Sequence, residues 1–115
     1  MSRVLIVEDE VMVLMMLEDI MSALGHEIFN TASNFDDGLA AAKTGKFDIA
    51  LLDINLNGEL SFPIAVVLRE RGIPFVFASG YGRAGLVEGF AGAPIIKKPF
   101  SIAELEGEIK RAVNA

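Results

Sequence analysis

Cysteine is absent from this chain of 115 residues, which excludes disulfide bonds and metal sites built on thiolates. Histidine occurs once, as His26, in a different part of the chain from the acidic residues described below. Zinc sites in proteins are built mainly from cysteine and histidine, so a zinc centre is disfavoured. The lack of cysteine also fits a cytoplasmic protein.

Basic clusters and long apolar stretches are also scarce. The formal net charge is −6 and the largest basic cluster is the pair Lys97-Lys98, so direct binding to nucleic acid is not expected. The longest apolar stretch, residues 11–17, is too short to span a bilayer. Residues 4–7 are followed at once by three acidic residues, which is unlike a signal peptide. We therefore expect a globular domain that contacts neither nucleic acid nor membranes.

Short apolar runs alternate with longer helical patterns along the chain, and this alternation predicts a doubly wound α/β domain with a parallel sheet. The apolar runs predict strands at residues 3–7, 27–31, 48–52, 75–78 and 94–96. The intervening patterns predict helices at residues 10–24, 33–43 and 62–71, with a last helix at 101–113. Residues 55–60 are expected to form a loop.

Two segments of this pattern carry further expectations. Residues 80–92 contain five glycines, three of them inside the expected fourth helix, where they would cost about 2–3 kcal/mol relative to alanine. That helix is therefore predicted to be short or mobile. The first helix contains four methionines, which are predicted to fill the core because methionine adapts to irregular gaps: Met12, Met15, Met16 and Met21.

Chemically active side chains follow four of the predicted strands. Glu8 and Asp9 follow the first strand, Asp53 follows the third, Ser79 the fourth and Lys98 the fifth. The carboxyl ends of parallel strands meet at one edge of a sheet, where open α/β sheets bind ligands. Taken singly, each of these residues is typical of a turn or a solvated helix start. Their joint placement is what predicts a site.

Three carboxylates brought together require protons or a cation. Two unit charges 4 Å apart repel each other by about 4 kcal/mol at an effective dielectric constant near 20. Magnesium prefers oxygen ligands and suits Glu8, Asp9 and Asp53. Asp53 could then act as a nucleophile that forms an aspartyl phosphate. Lys98 would neutralise the phosphoryl oxygens and the Ser79 hydroxyl would hydrogen-bond to them.

Four segments of the sequence resemble the response-regulator receiver domain of two-component signalling: residues 4–10, 51–53, 78–80 and 98–100. The resemblance covers essentially the whole chain and implies a single receiver domain over residues 1–115 with no output domain. It also implies the (βα)5 flavodoxin-like, CheY-like fold, whose five parallel strands have the order 2-1-3-4-5.

The same resemblance implies roles for individual residues. Asp53 would be the phosphoacceptor, while Ser79 and Lys98 would bind the phosphoryl group. Magnesium would be bound by Asp9 and Asp53 directly, by Glu8 mainly through water, and by the backbone carbonyl of Asn55. The peptide bond between Lys98 and Pro99 would be cis.

Two features depart from most receivers. The segment after Asp53 lacks the usual proline, and Ile95 stands where most receivers have an aromatic switch residue. Residues 77–81 resemble a subgroup with a Phe-Ala-Thr-Gly-aromatic signature, known as FAT GUY, whose members are typically lone receivers of alphaproteobacteria. Here Ser79 replaces the threonine. We therefore expect the switch to involve the glycine-rich segment, with Gly80, Tyr81 and Ile95 as candidates.

The resemblance implies a single-domain response regulator that accepts a phosphoryl group on Asp53. The donor would be a sensor histidine kinase, of the HWE or HisKA2 type, or a phosphotransfer protein. The product would bind an unknown downstream protein or act as a phosphate sink, as a monomer or weak dimer and without enzymatic turnover. One alternative is a phosphorylation-independent adaptor on the same fold. A second is a magnesium-dependent phosphohydrolase, disfavoured because Asn55 stands where such enzymes have an acid.

Overall fold

The computed structural model describes residues 2–80, 86, 89–90 and 92–114. Seven strands and four helices follow one another along this part of the chain. In chain order they are β1 (Arg3–Val7), α1 (Val11–Ala23), β2 (Glu27–Ala32), α2 (Phe35–Thr44), β3 (Ile49–Asp53), β4 (Asn55–Leu56), β5 (Glu59–Leu60), α3 (Phe62–Glu70), β6 (Phe75–Ser79), β7 (Ile95–Lys97) and α4 (Ile102–Val113).

Five of the strands form one parallel sheet of order β2-β1-β3-β6-β7. Counted among these five strands, the order is 2-1-3-4-5, so the predicted fold is confirmed. Every residue of β3 and β6 is buried. Strands covered by helices on both faces read as continuous apolar runs, which is why the sequence showed no alternation there.

The sheet has a separate apolar core on each face. Successive side chains of β1 point to opposite faces, so Val4 and Ile6 enter one core while Leu5 and Val7 enter the other. Residues of α1 and α4 complete the first core, and residues of α2 and α3 complete the second. Four phenylalanine rings pack with centroids 5.2–6.3 Å apart in the second core: Phe62, Phe75, Phe77 and Phe90.

The helix ends follow local signals in the sequence. The Asn34 side chain accepts a hydrogen bond of 2.8 Å from the Asp37 N–H at the start of α2. Ser101 and Glu104 form the predicted capping box of α4. Gly25 follows α1 with φ +87°, a conformation that favours glycine. In the described part of the chain, no helix is long and apolar enough to cross a membrane.

The segment after Asp53 is a short hairpin and not the irregular loop expected from the sequence. Strands β4 and β5 pair antiparallel, with Asn55 opposite Leu60 and Leu56 opposite Glu59. The two turn residues, Asn57 and Gly58, have φ values of +53° and +92°. An Asn-Gly pair with positive φ at both positions is typical of a type I′ turn. This turn signal was present in the sequence and was missed.

The prediction for the methionines was mostly wrong. Met21 is fully buried, but Met12, Met15 and Met16 are 83%, 59% and 42% exposed. The apolar residues of α1 extend around more of the helix than its buried stripe, so apolar character alone did not identify the inward face. The fourth helix predicted within residues 80–92 falls largely outside the described residues.

Two glycines, Gly45 at the end of α2 and Gly107 inside α4, differ in the space around them. A Cβ atom on Gly45 would lie 2.6 Å from the Ala41 carbonyl oxygen and 2.8 Å from Phe29 and Phe47. We expect Gly45→Ala to lower the free energy of unfolding by about 1–3 kcal/mol, because the neighbouring backbone must shift. Gly107, inside α4, has open space around it. Gly107→Ala should therefore raise stability by about 0.5–1 kcal/mol. Urea unfolding measures both, and equal effects would contradict the prediction.

Candidate functional site

The strand register brings the predicted site residues to one edge of the sheet. Val7 pairs with Leu52, Asp53 with Ala78, and Ser79 with Lys97. Asp53 and Ser79 therefore lie beside Glu8 and Lys98, which directly follow Val7 and Lys97, at the carboxyl ends of the strands. The site is a consequence of the parallel sheet, since its members come from four separate strands.

Lys98 is the positive centre of this edge. Its Nζ atom lies 2.8 Å from Glu8 Oε1 and donates a hydrogen bond of 3.2 Å to Asp53 Oδ2. Its backbone N–H donates to the carbonyl oxygen of Ser79 at 2.9 Å. The peptide bond between Lys98 and Pro99 is cis. One residue thus connects the ends of β1, β3, β6 and β7.

Glu8 is a carboxylate that is almost completely buried, with 1% of its surface exposed. Its Oε2 atom accepts a hydrogen bond of 3.1 Å from the Glu10 N–H, whereas Oε1 is the oxygen that faces Lys98 Nζ at 2.8 Å. A buried charge is unfavourable unless it is compensated. The compensation here is the ion pair with Lys98.

The structure adds a fourth acidic residue, Glu10, that the sequence analysis left out of the site. In the described part of the chain, Glu8, Asp9 and Glu10 present carboxylate oxygens within 4.8 Å of one another. Glu10 Oε1 also lies 3.9 Å from Lys98 Nζ, although the Glu10 side chain is 66% exposed. The signal for Glu10 was its position as the third consecutive acid, at the predicted start of the first helix.

The β4–β5 hairpin faces the acidic residues with backbone N–H groups. Asn57 N–H donates to Asp9 Oδ2 at 3.1 Å, and Asn55 N–H donates to Asp53 Oδ1 at 3.4 Å. Ser61 N–H binds the Ile54 carbonyl at the base of the hairpin. Hydrogen-bonded and non-hydrogen-bonded residue pairs alternate along an antiparallel hairpin. Because Ile54 and Ser61 form a hydrogen-bonded pair, the next pair, Asn55 and Leu60, is a non-hydrogen-bonded one. The backbone carbonyl of Asn55 is therefore not used by β5.

Burial and neighbouring charges shift the protonation of the site. Burial and the charge of Glu8 raise the pKa of Asp53 to about 7, although Lys98 opposes this shift. Burial acts to raise the pKa of Asp9, but hydrogen bonds from its neighbours, including Asn57 N–H, outweigh it and lower this pKa. Burial also disfavours charged Lys98, but its acidic partners outweigh this effect and raise its pKa.

A cleft of about 440 Å³ opens onto these groups. Asp53 and Lys98 line it, together with Gly80 and residues of the acidic segment and the hairpin: Asp9, Glu10, Asn55 and Asn57. Ser79 lies beside the cleft with 4% of its surface exposed. Ile95 is buried in the α2–α3 core and does not line the cleft. Tyr81 falls outside the described residues.

The donor set fits a hard divalent cation. All side-chain ligands offered by Glu8, Asp9 and Asp53 are oxygen atoms, as magnesium prefers. The Lys98 ammonium faces three carboxylates, those of Glu8, Glu10 and Asp53, and one positive charge does not balance three negative ones. Either protons or a cation must balance the remainder.

Comparison with known proteins identifies the family. Residues 4–110 match the model of the response regulator receiver domain. The chain belongs to this family. Receiver domains act generally as phosphoacceptors in two-component signalling, and receivers bind magnesium at an acidic site beside the phosphorylated aspartate.

Solved receivers support the subgroup suggested by residues 77–81. The solution structure of SdrG from Sphingomonas melonis Fr1 has 36% sequence identity and a TM-score of 0.88, covering 100% of this chain and 98% of SdrG. The PhyR receiver domain of Erythrobacter litoralis has 30% identity and a TM-score of 0.84, with coverages of 98% and 90%. SdrG has also been solved in a BeF3-activated conformation, with 35% identity, a TM-score of 0.82 and coverages of 96% and 95%.

Curated relatives are longer than this receiver. The transcriptional regulatory protein PdtaR of Mycobacterium tuberculosis is 31% identical over 116 residues, which cover 97% of this chain and 57% of PdtaR. The chain spans about half the length of the curated relatives it matches. Their whole-protein activities therefore do not transfer to this receiver by similarity alone.

The raised pKa of Asp53 predicts a pH-dependent stability in the absence of divalent cations. The folded-state pKa of about 7 exceeds the ordinary value of 3.8, so the free energy of unfolding should fall as the pH rises through this range. Asp53→Asn removes the titrating group and should be more stable than the wild type by about 1–3 kcal/mol above pH ~8, and this difference should shrink as the pH falls toward 3.8. Urea unfolding in a chelator measures both.

An exposed acid supplies the control for this experiment. Asp19 lies on the exposed surface of α1, away from the acidic residues of the site. Asp19→Asn should retain the pH dependence of the wild type. Identical pH dependence in the wild type and Asp53→Asn would show that burial of Asp53 does not control stability.

Proposed function

We propose that this receiver accepts a phosphoryl group on Asp53 from a sensor histidine kinase or a phosphotransfer protein, with Mg²⁺ bound in the adjacent cleft. The observation that carries the proposal is the placement of Asp53. It lines the cleft between the Lys98 ammonium, 3.2 Å away, and the hairpin, whose Asn55 N–H holds its other oxygen.

The reaction is a transfer between a phosphohistidine and a carboxylate. An oxygen of ionised Asp53 attacks phosphorus, the P–N bond breaks, and the histidine nitrogen leaves with its electron pair and takes up a proton. Lys98 and the Asn55 N–H hold the two Asp53 oxygens, so the carboxylate is fixed in orientation before the donor arrives. When bound, Mg²⁺ would neutralise charge on the phosphoryl oxygens.

The residues proposed for the cation have different surroundings. Asp9 and Asp53 line the cleft and are suited to direct ligation, together with the backbone carbonyl of Asn55, a residue that also lines it. Glu8 is almost fully buried and paired with Lys98, so a contact through water suits it better. Ser79, beside the cleft, is the proposed hydroxyl partner of the phosphoryl group.

The signal would be a change of conformation read by another protein. The BeF3-activated conformation of SdrG supports this proposal, because beryllofluoride mimics a phosphoryl group on a carboxylate. Of the switch candidates that lie in the described part of the chain, Gly80 lines the same cleft as Asp53 and Ile95 does not. The proposed kinase is of the HWE or HisKA2 type, and the proposed downstream partner is another protein. The proposed location of the receiver is the cytoplasm.

Two neighbouring lysines allow a matched test of the phosphoryl site. Acetyl phosphate with Mg²⁺ should phosphorylate the wild type but not Asp53→Ala, as detected by intact-protein mass spectrometry. Lys98→Ala should lower phosphorylation at least about tenfold, because the ammonium stabilises the transferring group. Lys97 is exposed, so Lys97→Ala should remain within about twofold of the wild type.

Amide NMR with Mg²⁺ and beryllofluoride separates this function from its rivals. Shifts around Asp9, Asp53 and Ser79 that disappear in Asp53→Ala are expected. Binding of Mg²⁺ without a response to beryllofluoride would contradict phosphoacceptance and favour the adaptor. Sustained turnover of a phosphate ester would instead favour a phosphohydrolase. Asn55 argues against that function, because it stands where such enzymes have an acid and its side chain accepts a hydrogen bond from the Gly58 N–H at 2.7 Å.

A further inference from the structure

The β4–β5 hairpin reaches the acidic residues by a contact that the sequence analysis did not anticipate. The N–H of Asn57 donates to Asp9 Oδ2 at 3.1 Å, joining positions 48 residues apart. Asn57 belongs to the turn of the hairpin, whereas Asp9 follows β1. The contact therefore links a locally formed turn to a carboxylate that depends on the whole sheet.

The conformation of the turn makes this N–H available. Positive φ at Asn57 and Gly58 closes a two-residue turn between Leu56 and Glu59. The Asn55 side chain accepts the Gly58 N–H at 2.7 Å, and Leu56, with 1% of its surface exposed, anchors the hairpin in the apolar core. Both contacts come from β4 and hold the turn, so that the Asn57 N–H is directed at Asp9.

The hydrogen bond from Asn57 stabilises the Asp9 carboxylate against repulsion by its acidic neighbours. Its carboxylate oxygens lie within 4.8 Å of those of Glu8 and Glu10, and like charges this close repel one another. A backbone N–H stabilises a carboxylate without adding a competing cation. The hydrogen bond is made to Oδ2 of Asp9.

We propose that the β4–β5 hairpin is a positioning element of the cation site, in which the Asn57 N–H holds the Asp9 carboxylate in place for a divalent cation. The inference rests on the proposed function, because it presumes that Asp9 binds Mg²⁺. Partners that orient metal ligands typically change metal affinity 10–100-fold when they are removed. If the hydrogen bond instead competed with the cation, removing it would strengthen binding, so the sign of the change is diagnostic.

Two glycines with similar backbones give a matched pair of variants. Gly58 has φ +92° and Gly25 has φ +87°, and a Cβ atom on either meets nothing within 4 Å. Valine is strongly disfavoured at positive φ, so both substitutions distort a backbone without a steric clash at Cβ. Gly58 lies beside Asn57, whereas Gly25 follows α1 at the opposite edge of the sheet. Asn57→Gly keeps both the N–H and the freedom to adopt positive φ.

The experiment is a titration with Mg²⁺ alone, followed by amide NMR, on the full chain. Gly58→Val should raise the Kd for Mg²⁺ about tenfold, whereas Gly25→Val and Asn57→Gly should stay within about twofold of the wild type. Thermal unfolding should show similar losses of stability for the two valine variants. In the wild type, the Asn57 amide proton should shift on addition of Mg²⁺.

Each outcome decides the inference. An unchanged or lower Kd in Gly58→Val would overturn the positioning role while leaving the proposed function intact. A parallel rise in Gly25→Val would attribute the effect to general loss of stability and would also overturn it. Absence of Mg²⁺ binding to the wild type would overturn the proposed function itself, and the inference with it.

Discussion

The site depends on the ion pairs that the Lys98 ammonium makes with Glu8 and Asp53. Lys98 follows β7, and its backbone N–H binds the end of β6. Its side chain reaches Asp53 at the end of β3 and Glu8 just after β1. A buried acid such as Glu8 is stable only with such a partner, and removing one member of a buried ion pair typically costs about 3–5 kcal/mol. The same charge that makes the site stable also prepares it for an anionic group.

The site retains an imbalance that one lysine does not remove. Three acidic side chains surround Lys98, and burial together with the charge of Glu8 raises the pKa of Asp53 although Lys98 opposes the shift. Groups with perturbed pKa values are common at functional sites, because the arrangement that favours a reaction seldom favours the resting protein most. The hairpin moderates the imbalance with neutral donors, the N–H groups of Asn55 and Asn57.

The sheet and much of the candidate site could be predicted because both depend on strong local signals. Continuous apolar runs marked β3 and β6, and the polar residue after each run marked the carboxyl edge. The hairpin was missed because its strands are only two residues long, too short to show a hydrophobic pattern. The sequence signal for it was the pair Asn57-Gly58. The inward face of α1 was misjudged because three exposed methionines are as apolar as buried ones. No local pattern could show that Asn57 contacts Asp9.

The position of β1 has a consequence for how the chain folds. Val4 pairs with Ile28 on one side and Ile49 on the other, so the first strand gains both neighbours only after about the first half of the chain is present. Closing such distant pairs requires loss of chain entropy before apolar burial compensates for it, and folding slows as the sequence separation of contacts grows. During synthesis, four apolar residues at the start of the chain must therefore remain unpaired while their partners are still being made.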